Sequence, residues 1–244
     1  MSKDTASPLD ENTRRYYLDV MGIQCWESLD NAVGHDIDIN QKSGEHGASF
    51  QQFETDVQQC VKCQLHTKRK QAIAGRGNQS AELMFVLLSP DSNDDASGIL
   101  CSGGAGDLFA KMLSAINISI DDVYITSLLK CNVPALHTVS TSELYHCKNY
   151  LKQQIALVQP KLLIVLGETA ARCLLQKDFS LDDLRELVNT GVASERLSSA
   201  AGAIHQFESV PLFVSYSPQE LAILPDNKRK AWLDLQQIQK IIEV

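Results

Sequence analysis

Four short runs of almost unbroken apolar residues constrain this chain more than any other feature: ELMFVLL (82–88), DVYIT (122–126), KLLIVLG (161–167) and VPLFVSY (210–216). A strand exposed on one face alternates apolar and polar residues, whereas a strand covered on both faces reads as a continuous apolar run. Segments of helical period follow these runs, at AGDLFAKMLSAI (105–116), TSELYHCKNYLKQQIALV (141–158), ETAARCLLQ (168–176) and DNKRKAWLDLQQIQKII (226–242). Buried strands alternating with helices specify an α/β fold of three layers, α/β/α, around a central, mostly parallel sheet. In such sheets ligands gather at the carboxyl ends of the strands. The loops after Leu88, Thr126, Gly167 and Tyr216 are therefore where chemistry is expected. Residues 177–209 carry one short helical pattern, and no internal repeat is present.

The 244 residues are enough for one main domain with a smaller appendage. Residues 10–26 place Tyr17, Leu18, Met21 and Ile23 at helical spacing with Trp26 beyond, and a polar stretch leads on to about Ser49. This divides the chain into an arm and linker, 1–48, and a folded domain, 49–244. The arm is either a helix docked on its own domain or a partner-binding peptide. No apolar run reaches the roughly 18 residues of a membrane span, and MSKDTASPLDENTRR has no apolar core of a secretory signal. A cytoplasmic protein without membrane contact is the expectation. A net charge of −8 argues against coating nucleic acid by charge alone, so any DNA contact must be local. The acid excess sits mostly in residues 1–48, which hold four Lys/Arg against nine Asp/Glu.

Seven cysteines in a chain expected in a reducing compartment point to metal binding or burial rather than disulfides. Cys60 and Cys63 form a C-x2-C pair, and Cys131 and Cys147 lie further along. Four thiolates suit a [4Fe–4S] cluster or a structural zinc, while Cys131 and Cys147 could equally be small core residues. Lys62, Lys68, Arg69, Lys70 and Arg76 crowd the first pair, either as a seat for phosphates or as a solvated basic face.

The segment CVKCQLHTKRKQAIAGRGNQSAELMFV resembles the opening of the iron–sulfur (family 4) uracil-DNA glycosylases. YITSLLKC resembles that family's strand ending in Lys-Cys, and ELYHCKNYLKQQIALVQPKLLIVLGETAARCLL its cluster-closing helix and following strand. SYSPQ stands where the family has a His-Pro-Ser loop. The resemblance covers about residues 55–240 and implies that Cys60, Cys63, Cys131 and Cys147 ligate a [4Fe–4S] cluster. Four pocket positions depart from the pattern. LLSPD (87–91) falls on the family's Gly-Glu-Ala-Pro-Gly motif, putting Leu88 at the acid that handles water. Cys101 replaces the aromatic ring that stacks on the base, Ser127 the Asn that reads its edge, and Ser217 the His that stabilises departing charge. Asp94 and Asp95 read as solvated loop residues, the usual state of a carboxylate.

The run LDVMGIQCW (18–26) resembles the N-terminal peptide of the psi subunit of bacterial DNA polymerase III, which binds the chi subunit. By that resemblance Leu18, Met21, Ile23 and Trp26 are anchors for chi-like and clamp-loader partners of the replisome. The main expectation is a catalytically degenerate iron–sulfur protein, psi-like and without appreciable uracil excision. The alternative is a divergent uracil-DNA glycosylase of base-excision repair.

Overall fold

The computed structural model describes residues 46–134, 137–194 and 206–242, which belong to one compact unit, Ser43–Val244. The arm, with Leu18, Met21, Ile23 and Trp26, lies outside the described residues. The described helices are α1 (His46–Gln58), α2 (Ser92–Ser97), α3 (Gly103–Ser114), α4 (Thr141–Val158), α5 (Glu168–Leu175), α6 (Leu181–Ser194), α7 (Pro218–Ile223) and α8 (Lys228–Ile242). The strands are β1 (Arg76–Gly77), β2 (Leu83–Leu87), β3 (Tyr124–Ser127), β4 (Leu162–Leu166), β5 (Gln206–Phe207) and β6 (Val210–Ser215).

They form one sheet in the order β1-β3-β2-β4-β6-β5. The four apolar runs make its parallel centre, with Phe85 paired to Ile125 on one side and Ile164 on the other, and Ile164 paired to Phe213. The three-layer α/β expectation therefore stands. Strand period divides the core in two. Met84, Val86, Leu163, Val165, Leu212 and Val214 face a layer built from α4, α5 and α6 through Leu151, Ile155, Ala170, Leu174, Leu184 and Val188. Leu83, Phe85, Leu87, Leu162, Ile164 and Phe213 face Phe109 and Leu113 of α3 and Ile238 of α8. Phe85 and Phe109 meet edge to face, ring centroids 5.0 Å apart.

The edge strands β1 and β5 are antiparallel to their neighbours. At two residues each they are too short for any period to announce them. Gly77 is obligatory in β1: its φ is +111° and an added Cβ would lie 2.1 Å from the Val123 carbonyl oxygen. The weak region after residue 177 resolves into α6, anchored by charge. Asp182 accepts from Tyr216 Oη and Lys230 Nζ, and Arg185 bridges to Asp234 on α8. The hydrogen bonds from Lys230 and Tyr216 hold the Asp182 carboxyl below its ordinary range. Because the folded value is depressed, this contribution is present above the unfolded value and lost as pH falls through the folded one. Asp182→Asn is therefore expected to lower the melting temperature at neutral pH and to converge on wild type in acid, which flattens the acid limb of a plot of melting temperature against pH. No helix among the described residues is long and apolar enough to cross a membrane.

Candidate functional site

A pocket of about 480 Å³ opens at the carboxyl ends of the parallel strands, within the range of small-molecule sites. Its walls come from four places: Leu87–Ser92 after β2, Asn132–Pro134 after β3, Leu166–Ala170 where β4 enters α5, and Ser217–Glu220 after β6. Three of the four loops singled out by strand order thus line it directly. The loop after Thr126 contributes only from Asn132 to Pro134, beyond a buried turn.

Local sequence sets each wall. Asp91 caps α2: its Oδ1 accepts from the N–H of Asn93 at 2.7 Å and of Asp94 at 2.9 Å. Among the described residues its Oδ2 has no protein partner. Ser217 caps α7, with Pro218 at the first helical position. Glu220 closes that cap through Oε2 on the Ser217 N–H (2.9 Å) and reaches across the pocket with Oε1 to the Glu168 N–H (2.8 Å). Both Glu220 oxygens are committed to backbone donors, so its role is to hold α5 and α7 together. Gly167 permits this approach: its φ is +97°, and a Cβ there would sit 3.2 Å from the Glu220 carboxylate.

The sequence-derived pocket positions separate. Leu88 and Ser217 are on the pocket wall; Cys101 and Ser127 are not among its lining residues. Cys101 is 1% exposed, packed in the core cluster of Phe85 and Phe109, and burial followed by the neighbouring Asp94 charge pushes its thiol up to about 12. Ser127 is fully buried at the end of β3, and its Oγ has no hydrogen-bond partner among the described residues. Asp94 and Asp95 correct the expectation of solvated carboxylates, being 0% and 5% exposed. Asp94 accepts from the N–H groups of Cys101 (3.0 Å) and Ser102 (2.7 Å), and Asp95 from those of Lys70 and Gln71. Backbone donors replace the water each carboxylate gives up. Asp91 and Asn132 are among the polar pocket groups that pattern reading missed, with Thr169, Gln219 and Glu220. The D-x-x-D capping box over 91–94 was the available signal for the first; only adjacency to Cys131 marked the second.

Cys60, Cys63, Cys131 and Cys147 gather in a third apolar cluster, with Phe53, Val57, Leu65 and Tyr150, between α1 and α4. Cys101 and Cys173 lie elsewhere. No group of three or more His, Cys, Asp or Glu among the described residues is arranged to hold one metal ion. Four thiols in one nest nevertheless fit the donor chemistry of a four-iron cluster, whose ligands attach to separate irons. Burial pushes the Cys131 thiol up and that of Cys147 to about 11, so a metal would have to displace their protons. Beside them Lys130 is fully buried, donating to Thr126 Oγ1, the Ser127 carbonyl and Gln154 Oε1, and burial draws its pKa down to about 7.

The basic residues proposed for DNA are mostly engaged. Arg69 donates to Cys131 Sγ and to the carbonyls of Gln58 and Cys60, and Arg76 to those of Leu100 and Cys101. Lys62 lies 4.8 Å from the centroid of the Tyr150 ring. Lys68 and Lys70 are exposed.

Known proteins bear on this site directly. The chain is 31% identical to the type-4 uracil-DNA glycosylase of Pyrobaculum aerophilum, over 73% of this chain and 87% of that protein. It is 29% identical to the Archaeoglobus fulgidus type-4 enzyme over 75% of this chain and 88% of that protein. Against the type-4 enzyme of Saccharolobus solfataricus the identity is 37%, over 50% of this chain and 57% of that protein. These relatives overturn the expectation of a psi-like accessory subunit: similarity along most of the folded domain is to glycosylases, whereas the psi resemblance rested on nine residues outside the described structure. Chi and clamp-loader partners have no support, and the pseudoenzyme reading drawn from four substituted positions has none either. The model of the uracil DNA glycosylase superfamily matches residues 74–236, which takes in every strand among the described residues and all four pocket walls; the chain belongs to that superfamily.

Proposed function

We propose that this chain is a divergent DNA glycosylase of base-excision repair, which receives an extruded uracil or related base in the pocket and hydrolyses its glycosidic bond. The observation that carries the reading is the pocket at the strand carboxyl ends, where Asp91 and Asn132 stand among apolar walls although the family's own positions hold Leu88 and Ser217. Asp91 lies three residues beyond Leu88 in the same loop and supplies a carboxylate oxygen to orient water and accept its proton. The water oxygen bonds to the sugar C1′, the C1′–N bond breaks, and the base leaves with the bonding electrons. The Asn132 amide N–H donates to a base carbonyl and takes up part of the negative charge on the leaving base. Leu88, Val133 and Pro134 offer apolar contact to the base faces in place of an aromatic ring.

Cys60, Cys63, Cys131 and Cys147 would hold the [4Fe–4S] cluster, which supplies a covalent staple between the C-x2-C segment, the turn after β3 and α4. Anaerobically purified protein should be brown with about four irons per chain. Less than one iron, or full iron retention in Cys131→Ala plus Cys147→Ala, contradicts the assignment. For the substrate, the test is mass spectrometry of bases freed from oligonucleotides that each carry one altered base. Free uracil or another deaminated base is the expected product. Release of none, with each oligonucleotide bound, sinks the glycosylase reading.

A further inference from the structure

Two walls of the pocket are fastened to the cysteine nest. One tie is covalent, since Cys131 is followed directly by Asn132, Val133 and Pro134 of the pocket wall. The other runs through space. Arg69 Nη1 donates to Cys131 Sγ at 2.9 Å, and Nη2 to the carbonyls of Gln58 at 3.0 Å and Cys60 at 2.7 Å. One planar guanidinium thus grips both the C-x2-C segment and the third cysteine. The next two residues turn the other way. The N–H groups of Lys70 and Gln71 donate to the Asp95 carboxylate at 3.0 and 3.2 Å, and Gln71 Nε2 donates to the Asp95 carbonyl at 3.0 Å.

Asp95 is 5% exposed and sits in α2, the helix that Asp91 caps. Its neighbour Asp94, 0% exposed, binds the Cys101 and Ser102 N–H groups and so closes the loop that follows α2. Most of the bonds these carboxylates accept come from backbone N–H groups, with the Ser102 hydroxyl adding one to Asp94. A shift of the Arg69–Gln71 segment therefore carries α2 with it, or takes hydrogen bonds away from the buried Asp95 carboxylate.

Resting on the cluster reading above, we infer that Arg69 and Asp95 are positioning residues, forming a strut through which an occupied cysteine nest holds the Asp91 wall of the pocket against the Asn132 wall. Arg69 acts at the nest end and Asp95 at the pocket end, so the two ends are separable by experiment.

The test uses the full chain, purified anaerobically, with two readouts. Iron loss to a chelator is followed by bleaching of visible absorbance. Pocket integrity is followed by anisotropy of a single-stranded oligonucleotide carrying one 2′-fluoro-2′-deoxyuridine, whose glycosidic bond resists hydrolysis, against the same strand with thymidine. Arg69→Gln is expected to bleach about 10–100-fold faster than wild type, the usual effect of losing a partner of a metal ligand. Arg69→Lys should recover little of this, because a point cation cannot reach three acceptors at once. Asp95→Ala should bleach at the wild-type rate yet lose about tenfold or more of its preference for the fluorouridine strand. Wild type stripped of iron should lose the same preference. Circular dichroism checks folding, and Asp95→Asn, which keeps one acceptor oxygen, stands in if the alanine variant unfolds. Undiminished preference in the folded Asp95 variant or in iron-stripped wild type overturns the coupling alone. A wild type without iron overturns the cluster reading together with it.

Discussion

Asp91→Asn is expected to slow single-turnover base excision by about 10²–10⁴, the usual cost of removing a positioned acid–base group, while the melting temperature hardly moves. The second half of that expectation makes the variant informative. In the proposed reaction Asp91 has two functions on two oxygens: Oδ1 caps α2 by accepting from Asn93 and Asp94, and Oδ2, without a partner among the described residues, serves the water. Asparagine caps a helix about as well as aspartate, so the fold loses little when the amide replaces the acid. What is lost is the capacity to take a proton from water. Glu220 is the other carboxylate on the pocket wall, but its oxygens are taken by the N–H groups of Ser217 and Glu168. An Asp91→Asn rate within about threefold of wild type would place the chemistry on another group.

Asp234→Ala is expected to cost about 1–3 kcal/mol of stability, because it deprives the buried Ser215 hydroxyl and the half-buried Arg185, whose remaining carboxylate partner Asp182 is exposed, of their shared acceptor. Asp234 is 2% exposed on α8 and accepts from Arg185 Nε at 2.8 Å and from Ser215 Oγ at 2.7 Å. Burial pushes its carboxyl up, against the pull of the Arg185 and Ser215 hydrogen bonds. The pair joins α6 and α8 to the last residue of β6, two residues before the Ser217 cap on the pocket wall. Replacing both Asp234 and Arg185 by leucine removes the stranded half of the pair and fills its space with apolar side chains, so the double variant should be more stable than Asp234→Ala. Denaturant unfolding of the three proteins decides. Equal midpoints for wild type and Asp234→Ala would mean that the pair holds nothing.

The sheet was legible in the sequence because its central strands are buried on both faces, and LMFVL and LLIVL have no polar residue to suggest anything else. Helix α4 was legible to its ends, since Ser140 and Glu143 form its capping box. The edge strands were not, because two residues carry no period. The site was legible at the level of loops and illegible at the level of side chains. Alignment to a family motif names the residue standing at a motif position but not where the chain carries it, and Cys101 and Ser127 lie in the core. Composition likewise favours exposure for Asp94 and Asp95, yet nearby backbone donors make burial affordable for both. The functional expectation failed for a related reason. Lost motif side chains were read as lost chemistry, when the loop bearing Leu88 brings another carboxylate to the same pocket three residues later.

The measurement that tests the central claim most directly is single-turnover excision by the iron-loaded wild-type chain on oligonucleotides with one deoxyuridine, single-stranded and paired with guanine. The account predicts first-order release of uracil that is abolished by excess free oligonucleotide bearing 2′-fluoro-2′-deoxyuridine and slowed by Asp91→Asn and Asn132→Ala. Tight binding of the deoxyuridine strand, with no uracil released beyond the enzyme-free control over many hours, would contradict it.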